Sequence, residues 1–241
     1  MTLMCTRDYR LRWMDFDRYG RIEPAAVLDI FQDIATIHAN EIGIGRDEMI
    51  AQGVFWAVVR QKYEIVREPE YYQVVTVRSW PHTPTRASFL RDYTMSDEQG
   101  ELLVKATSEW VLVDVESRKL VSAKDRIAHL DGFVEDRCFE RKPRKLPDFD
   151  IEGKTAHVVM PLYADIDLNG HVNNAMYGNY VVNALNPGKE GAVRAFQIDY
   201  RHEALFGEPL SVYANQEEGR ITFKGVREDG AIAFAAAIDL A

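Results

Sequence analysis

The residues best suited to chemistry lie in one short segment, residues 163–174. It contains Asp165, Asp167, Asn169 and His171, so carboxylate, amide and imidazole groups stand close together along the chain. Such groups can orient a water molecule, transfer a proton and stabilise negative charge on a carbonyl oxygen. Asn169-Gly170 is a turn signal, because both residue types tolerate a positive φ. The pattern therefore predicts a polar loop with chemical potential.

A predicted helix follows this loop. Apolar residues between Met176 and Ala184 recur at helical spacing, and Asn173 is a suitable N-cap. The first backbone N–H groups of a helix have no partner within the helix and lie at the positive end of its dipole. Backbone N–H groups near Asn173 and Asn174 could therefore bind an oxyanion.

An earlier segment repeats the pattern. Asp15, Asp17 and Gly20 precede Asp165, Asp167 and Gly170 by a constant 150 positions. At the positions of Asn169 and His171, however, the first copy has Tyr19 and Arg21. We interpret this as a duplicated domain. Only the second copy keeps the chemically versatile side chains, which suggests that the function lies there.

The rest of the chain predicts similar elements around both copies. Periodicity predicts one helix from Pro24 to about Ile42 and another ending near Leu185. Alternating apolar stretches predict strands at 9–14, 55–66, 72–80, 88–95, 101–113, 157–161, 193–202, 210–214, 221–226 and 231–239. The prediction is an α+β fold of two tandem domains, each a long helix wrapped by an antiparallel sheet. We place the domains at 1–134 and 155–241, with a basic, proline-containing linker at 135–154.

Composition excludes several classes of function. The net charge of −9 argues against general affinity for nucleic acid or anionic membranes. No apolar run is long enough for a membrane span. The two cysteines, Cys5 and Cys138, do not have the spacing of a disulfide framework or a zinc site. No His/Cys/Asp cluster has metal-ligand spacing. We expect a cytoplasmic protein without a metal ion or cofactor.

Two segments carry a family resemblance. Asp167-Leu168-Asn169-Gly170-His171-Val172-Asn173-Asn174-Ala175-Met176-Tyr177 resembles the D-x-N-x-H-V-N-N-x-x-Y signature of acyl–acyl carrier protein (ACP) thioesterases. Ile198-Asp199-Tyr200-Arg201-His202-Glu203 resembles the second signature of these plant plastid enzymes and their bacterial relatives. The chain is similar to the bacterial branch, since it lacks a transit-peptide-like extension. The resemblance covers nearly the whole chain and implies two fused hotdog repeats.

The resemblance also implies a catalytic set of Asp167, Asn169, His171 and Glu203. Many members have a Cys after this Glu, but the present chain has Ala204, which excludes a Cys–His mechanism at this site. Glu203 and His171 are both candidates for the general base. Asn169 could donate its amide to the water or to the carbonyl oxygen, and Asp167 would orient its neighbours.

Residues for the acyl chain and the carrier are less distinctive. In the family the first repeat supplies the acyl channel, and Phe31, Ile34, Trp56 and Val58 are candidates by periodicity, with plain core packing as an equal alternative. A basic cluster in the linker either covers a solvated surface or docks the acidic ACP. Its members are Arg141, Lys142, Arg144 and Lys145.

The expected function is hydrolysis of the thioester of fatty acyl-ACP, releasing a free fatty acid. An acyl-CoA thioesterase on the same scaffold is one alternative. A non-catalytic acyl-binding protein is another, and it would show stoichiometric binding without turnover. Two fused repeats can mimic a hotdog dimer within one chain, so both a monomer and a homodimer are compatible with the sequence.

Overall fold

The computed structural model describes residues 2–86, 88–217 and 219–241, and the chain divides into two compact units. Unit 1 contains the chain up to Leu11, Ile30–Glu68 and Tyr72–Pro143. Unit 2 contains Arg12–Asp29, Pro69–Tyr71 and Arg144–Ala241. These units are defined by packing, whereas the domains proposed from the sequence are continuous segments of the chain. The boundaries of the proposed domains stay a prediction.

Unit 1 is built on an antiparallel sheet. Its strands are β1 (Cys5–Arg10), β2 (Val54–Ile65), β3 (Val74–Pro81), β4 (Phe89–Ser96), β5 (Leu102–Asp114) and the short β6 (Leu120–Val121). Their order is β1-β3-β4-β5-β2, and β6 pairs with β5. The helices are α1 (Pro24–Glu41), α2 (Arg46–Ala51) and α3 (Ala123–Arg126), and the first turn of α1 belongs to unit 2. The predicted extent of α1 is confirmed almost to the residue.

Unit 2 also consists largely of antiparallel strands. Its elements are β7 (His157–Val159), α4 (Met176–Leu185), β8 (Val193–Tyr200), β9 (Leu210–Glu217), β10 (Arg220–Arg227) and β11 (Ile232–Leu240). The strand order is β8-β11-β10-β9-β7. Helix α4 buries an aromatic and aliphatic face that includes Tyr177, Tyr180 and Val181. The predicted α+β class, with antiparallel strands accompanying a helix, is confirmed.

Three details differ from the sequence-based expectation. The first strand is Cys5–Arg10 rather than 9–14, because Trp13–Asp15 form a single turn of 3-10 helix. Helices α2 and α3 and strand β6 were not predicted, since elements this short carry almost no periodicity. Asn173 is not the N-cap of α4: Ala175 is. The Asn173 Oδ1 instead accepts the Ala175 N–H at 2.9 Å, forming an Asx turn that precedes the helix.

Within the described ranges, none of the helices combines the length and apolar character that a membrane crossing needs. The same residues contain no group of three or more His, Cys, Asp or Glu side chains arranged for a metal ion.

Candidate active site

The polar loop, residues 163–174, forms a tight turn. A β-bridge between Ile166 and Val172 closes it, and the Asp167 N–H donates to the His171 carbonyl at 2.9 Å. The Gly170 N–H donates to the Asp167 carbonyl at 3.0 Å. Gly170 has a φ of 82°, a conformation in which a residue with a side chain would be strained. Residues 167–171 therefore stand at the tip of the loop, as the turn signal predicted.

Asp167 organises the other polar side chains of this tip. Its Oδ1 accepts the Asn169 backbone N–H at 2.8 Å, and its Oδ2 lies 3.4 Å from the Asn169 amide nitrogen. The His171 Nδ1 is 3.8 Å from the Asp167 Oδ1. The structure thus brings together Asp167, Asn169 and His171, three of the four residues in the proposed catalytic set.

The His171 ring has a defined hydrogen-bonding partner. Its Nδ1 lies 3.1 Å from the Val172 carbonyl oxygen, which can only accept a hydrogen bond. We therefore assign the proton of the neutral ring to Nδ1, and this leaves the lone pair on Nε2. In this tautomer Nε2 can take a proton from a water molecule or, once protonated, give it to a leaving group.

Glu203 lies in an irregular segment, residues 201–209, that follows β8. The polar loop is bonded to this segment, because the Val172 N–H donates to the Ala204 carbonyl at 2.9 Å. The Glu203 side chain is exposed, whereas Ala204 is completely buried. The two signatures are thus neighbours in space although about 30 residues separate them in sequence. The catalytic roles themselves stay a prediction.

The first copy of the loop has the same backbone. Its Asp17 N–H donates to the Arg21 carbonyl at 2.8 Å, Asp17 Oδ1 accepts the Tyr19 N–H at 2.8 Å, and Gly20 has a φ of 78°. The side chains differ: Arg21 Nη2 lies 2.6 Å from Asp17 Oδ2, and Arg21 Nη1 reaches the Gly188 carbonyl at 3.2 Å. The duplication predicted from spacing is therefore a structural duplication, in which an ion pair replaces the imidazole.

That ion pair changes the carboxylate beside it. Burial raises the pKa of Asp17, but hydrogen bonds from Arg21 and from the Tyr19 N–H outweigh this effect, and the pKa lies below its usual value. A cavity of about 170 Å³ in unit 2 borders this first copy, at Arg21, Glu23 and Asn186, and not the polar loop. It is smaller than a typical ligand pocket, and we assign it no part in acyl binding.

The candidate acyl-binding residues belong to the packed interior of unit 1. Phe31, Ile34 and Val58 are buried, and the Phe31 ring lies 5.0 Å from that of Tyr93. Trp56 stacks on Phe89 at 5.3 Å and donates its indole N–H to the Ile44 carbonyl at 2.9 Å. Core packing accounts for all four positions, and their contact with an acyl chain stays a prediction.

Asn173 and Asn174 were selected as a source of oxyanion donors. The Asn173 N–H donates to the Asp165 carbonyl at 2.8 Å, so this group is already engaged. The Asn174 carbonyl accepts the Tyr200 hydroxyl at 3.0 Å, which fixes the peptide at the start of α4. Of the two backbone donors, the Asn174 N–H is the better candidate.

Only part of the basic linker cluster is available to attract an acidic protein partner. Lys142 Nζ pairs with Glu109 Oε1 at 3.0 Å in unit 1, and the same carboxylate also pairs with Arg60. In unit 2 the Arg144 carbonyl accepts the Gln197 amide at 2.8 Å, while its side chain points to solvent. Arg141 and Lys145 are exposed as well. ACP docking through these residues stays a prediction.

Sequence reasoning overlooked two residues near the Glu203 segment. Arg227 Nη1 donates to the Glu203 carbonyl at 3.0 Å, and burial raises the pKa of Tyr177 to about 12, with the charge of Glu203 adding to the increase. Tyr177 ends the first signature, but its place on the apolar face of α4 suggested a core residue. Arg227 gave no signal beyond its position in a predicted hairpin turn.

Comparisons with known proteins match the chain over most of its length. Residues 2–130 match the family model for the acyl-ACP thioesterase N-terminal domain, and residues 150–240 match that for the C-terminal domain. Among curated relatives, acyl-[acyl-carrier-protein] hydrolase FATB3 of Cuphea viscosissima is 28% identical, covering 67% of this chain and 41% of the relative. FATB2 of the same plant is also 28% identical, covering 78% and 48%. The chain spans less than half the length of these two relatives.

Solved structures share the fold. An acyl-ACP thioesterase from Bacteroides thetaiotaomicron superposes with a TM-score of 0.88 at 20% identity, over 99% of this chain and 98% of that one. The 12:0-ACP thioesterase from Umbellularia californica gives a TM-score of 0.89 at 21% identity, over 100% and 98%. These likenesses confirm the predicted tandem hotdog fold.

Proposed function

The chain belongs to the acyl-ACP thioesterase family, and on that premise we propose that it hydrolyses fatty acyl-ACP to a free fatty acid and ACP. The observation that carries the proposal is the hydrogen bond from Val172 to Ala204. It joins the loop with Asn169 and His171 to the segment with Glu203, as a site assembled from both signatures requires.

The proposed mechanism is direct attack by water. Glu203 or His171 takes a proton from the water, whose oxygen attacks the thioester carbonyl carbon. Asn169 and the Asn174 N–H donate to the carbonyl oxygen as it gains negative charge. The C–S bond then breaks, and the thiolate receives a proton from the group that acted as base. Asp167, whose Oδ1 lies 3.8 Å from His171 Nδ1, orients the imidazole ring.

Single substitutions test the catalytic set. We expect Glu203→Gln, His171→Ala and Asn169→Ala each to lower kcat for acyl-ACP by roughly 10²- to 10⁴-fold. Tyr19→Phe in the first copy is the matched control and should keep wild-type turnover. Near-native turnover in both Glu203→Gln and His171→Ala would refute the proposed base.

Substrate class needs a separate comparison. Hydrolysis rates should be measured for acyl-ACP and acyl-CoA of matched, graded chain lengths. We expect acyl-ACP to have the higher kcat/KM. A preference for acyl-CoA would identify the alternative thioesterase, and binding at one acyl chain per protein without turnover would identify an acyl-binding protein. If Phe31, Ile34, Trp56 or Val58 line the acyl channel, their replacement by Ala should alter the preferred chain length.

We also propose that exposed basic residues of the linker attract ACP. Charge reversal at Arg141, Arg144 or Lys145 should raise KM for acyl-ACP and leave the hydrolysis of a small thioester unchanged. Reversal at Lys142 should have a smaller effect on KM, because its ammonium group already pairs with the Glu109 carboxylate. An unchanged KM in all four variants would dismiss docking at this segment.

Location and assembly complete the proposal. Two unpaired cysteines suit a reducing compartment, and we propose that the protein is cytoplasmic. Cell fractionation checks this, and release of the protein only with membranes would contradict it. Light scattering after size exclusion distinguishes a monomer from a homodimer.

A further inference from the structure

The segment that carries Glu203, residues 201–209, connects β8 to β9 without regular secondary structure. A carboxylate on such a segment keeps a defined position only if other elements hold the peptides around it. Among the described residues, one hydrogen bond involves Glu203 itself: Arg227 Nη1 donates to its carbonyl oxygen at 3.0 Å. Arg227 therefore holds the peptide that follows Glu203.

Arg227, the last residue of β10, contacts the segment at a second point. Its Nη2 lies 3.6 Å from Glu208 Oε2 and 3.1 Å from Asp229 Oδ2. One guanidinium group thus joins the segment to the hairpin turn that follows β10. A planar fork of donors can make such contacts in several directions at once, which a single ammonium group does less well.

These contacts leave the Glu203 carboxylate available for chemistry. The ion pairs of Arg227 within the described ranges go to Glu208 and Asp229, and none goes to the Glu203 carboxylate. An ion pair with arginine would lower the basicity of that carboxylate. Arg227 instead binds the backbone of Glu203, which fixes the residue and keeps its side chain able to accept a proton.

Stability alone does not account for this arginine. Its side chain is 25% exposed, and its Nε is buried with no hydrogen-bond partner in the part of the chain that the structure describes. A buried donor without a partner costs free energy. The ion pairs that offset this cost involve the partly exposed carboxylates of Glu208 and Asp229, and such pairs contribute little. A role in the proposed site explains the residue better.

The same part of the segment is bonded to the polar loop. The Val172 N–H donates to the Ala204 carbonyl at 2.9 Å, one residue beyond the carbonyl that Arg227 binds. Arg227 and the polar loop thus hold consecutive carbonyl groups. Loss of the first bond should weaken the second, because both depend on the same short stretch of backbone.

We propose that Arg227 is a positioning residue: through the Glu203 carbonyl and the Glu208 carboxylate it holds the segment against the polar loop, and so keeps the Glu203 carboxylate at the proposed site. The inference rests on the proposed function only for its consequence in catalysis. The contact itself is testable without activity.

Amide exchange tests the contact. In Arg227→Gln we expect the Val172 N–H to exchange at least about ten-fold faster than in the wild type, because the segment that supplies its acceptor is no longer held. Arg220→Gln is the matched control, since Arg220 begins the same strand, pairs with Asp239 at 3.7 Å and should not affect Val172. Unchanged exchange in Arg227→Gln, or equal acceleration in both variants, would overturn the proposal.

A second variant serves if Arg227→Gln does not fold. Arg227→Lys keeps a positive charge beside Asp229, but its ammonium group lacks the fork that reaches all three partners. We expect its Val172 N–H to exchange at least about three-fold faster than in the wild type, while Phe223 in the middle of β10 exchanges at the wild-type rate. Wild-type exchange at Val172, or the same acceleration at Phe223, would contradict the positioning role.

Kinetics test the consequence. Arg227→Gln should lower kcat for acyl-ACP roughly ten-fold and change KM less than about two-fold, because the proposed base is displaced while the substrate contacts remain. In a Glu203→Gln background the same substitution should cause no further loss, since it acts through Glu203. An equal loss in both backgrounds, or wild-type kcat in Glu203→Gln, overturns the positioning role.

The two hypotheses fail in different ways. If the wild type hydrolyses no thioester, the proposed function is wrong, and Val172 exchange still decides whether Arg227 holds the segment. If the wild type is active and Arg227→Gln equals it in kcat, only the inference about Arg227 is wrong.

Discussion

At the scale of single residues, Glu23 stands in the first copy where Asn173 stands in the second. Burial raises the pKa of the Glu23 carboxyl, and the charges of Asp17 and Asp15 raise it further. Because the folded-state pKa lies above the unfolded value, this group favours the folded state at low pH. That advantage is lost as the pH rises through the folded pKa.

The substitution Glu23→Gln should therefore stabilise the protein at pH 7 by roughly 0.5 kcal/mol, a small value because the carboxyl is partly solvated. The gain should disappear near pH 3, where the Glu23 carboxyl is protonated in both the folded and the unfolded state. Urea unfolding at the two pH values measures the difference. A destabilised variant at pH 7 would show that Glu23 makes a favourable contact as an anion.

At the scale of elements, the two copies of the loop offer an internal control. Gly20 and Gly170 have nearly the same φ, 78° and 82°, and close the same turn. Replacement of either by Ala forces a side chain into the left-handed region and should cost about 1 kcal/mol of stability. We expect only Gly170→Ala to lower kcat strongly, because only that turn positions Asn169 and His171. Equal turnover in the two variants would contradict the assignment of chemistry to the second copy.

The packing of α4 gives a second element-scale prediction. A Cβ at Gly178 would lie 2.7 Å from the Ala25 backbone nitrogen and 3.0 Å from its Cα, in the first turn of α1. Ala is better than Gly in a helix by about 1 kcal/mol, but backbone atoms cannot yield as a side chain can. Gly178→Ala should therefore destabilise by roughly 1–2 kcal/mol in thermal unfolding. The exposed Asn183→Ala on the same helix should be neutral or stabilising.

At the scale of the whole molecule, acid should lower the free energy of unfolding over two successive pH ranges. Burial and the neighbouring Arg91 lower the pKa of His38 to about 4, so its stabilisation is complete above the unfolded value near 6.5 and is lost as the pH falls towards 4. At lower pH, carboxylates whose pKa is lowered in the folded state become protonated, and their contribution to stability is lost as well. For Glu64, burial opposes the lowering, but Lys62 and Lys105 outweigh it, and for Asp114 the bonds from Ser117 are the cause.

We expect the free energy of unfolding to fall by on the order of 2 kcal/mol between pH 7 and pH 4.5 through His38. His38→Asn should remove most of this slope, whereas the exposed His157→Asn should not. Denaturant titrations across that range measure it, and a flat profile in the wild type would refute the buried neutral histidine.

Sequence alone determined the duplicated loop, its turn and the polar residues it holds. These features are local, and a turn depends on the φ that Gly20 or Gly170 can adopt. Tertiary structure alone decided which backbone groups are available. The Asn173 N–H donates to the Asp165 carbonyl, and the Ala204 carbonyl accepts the Val172 N–H. Both partners of each bond are backbone atoms, which every residue carries. No pattern of side chains therefore encodes them.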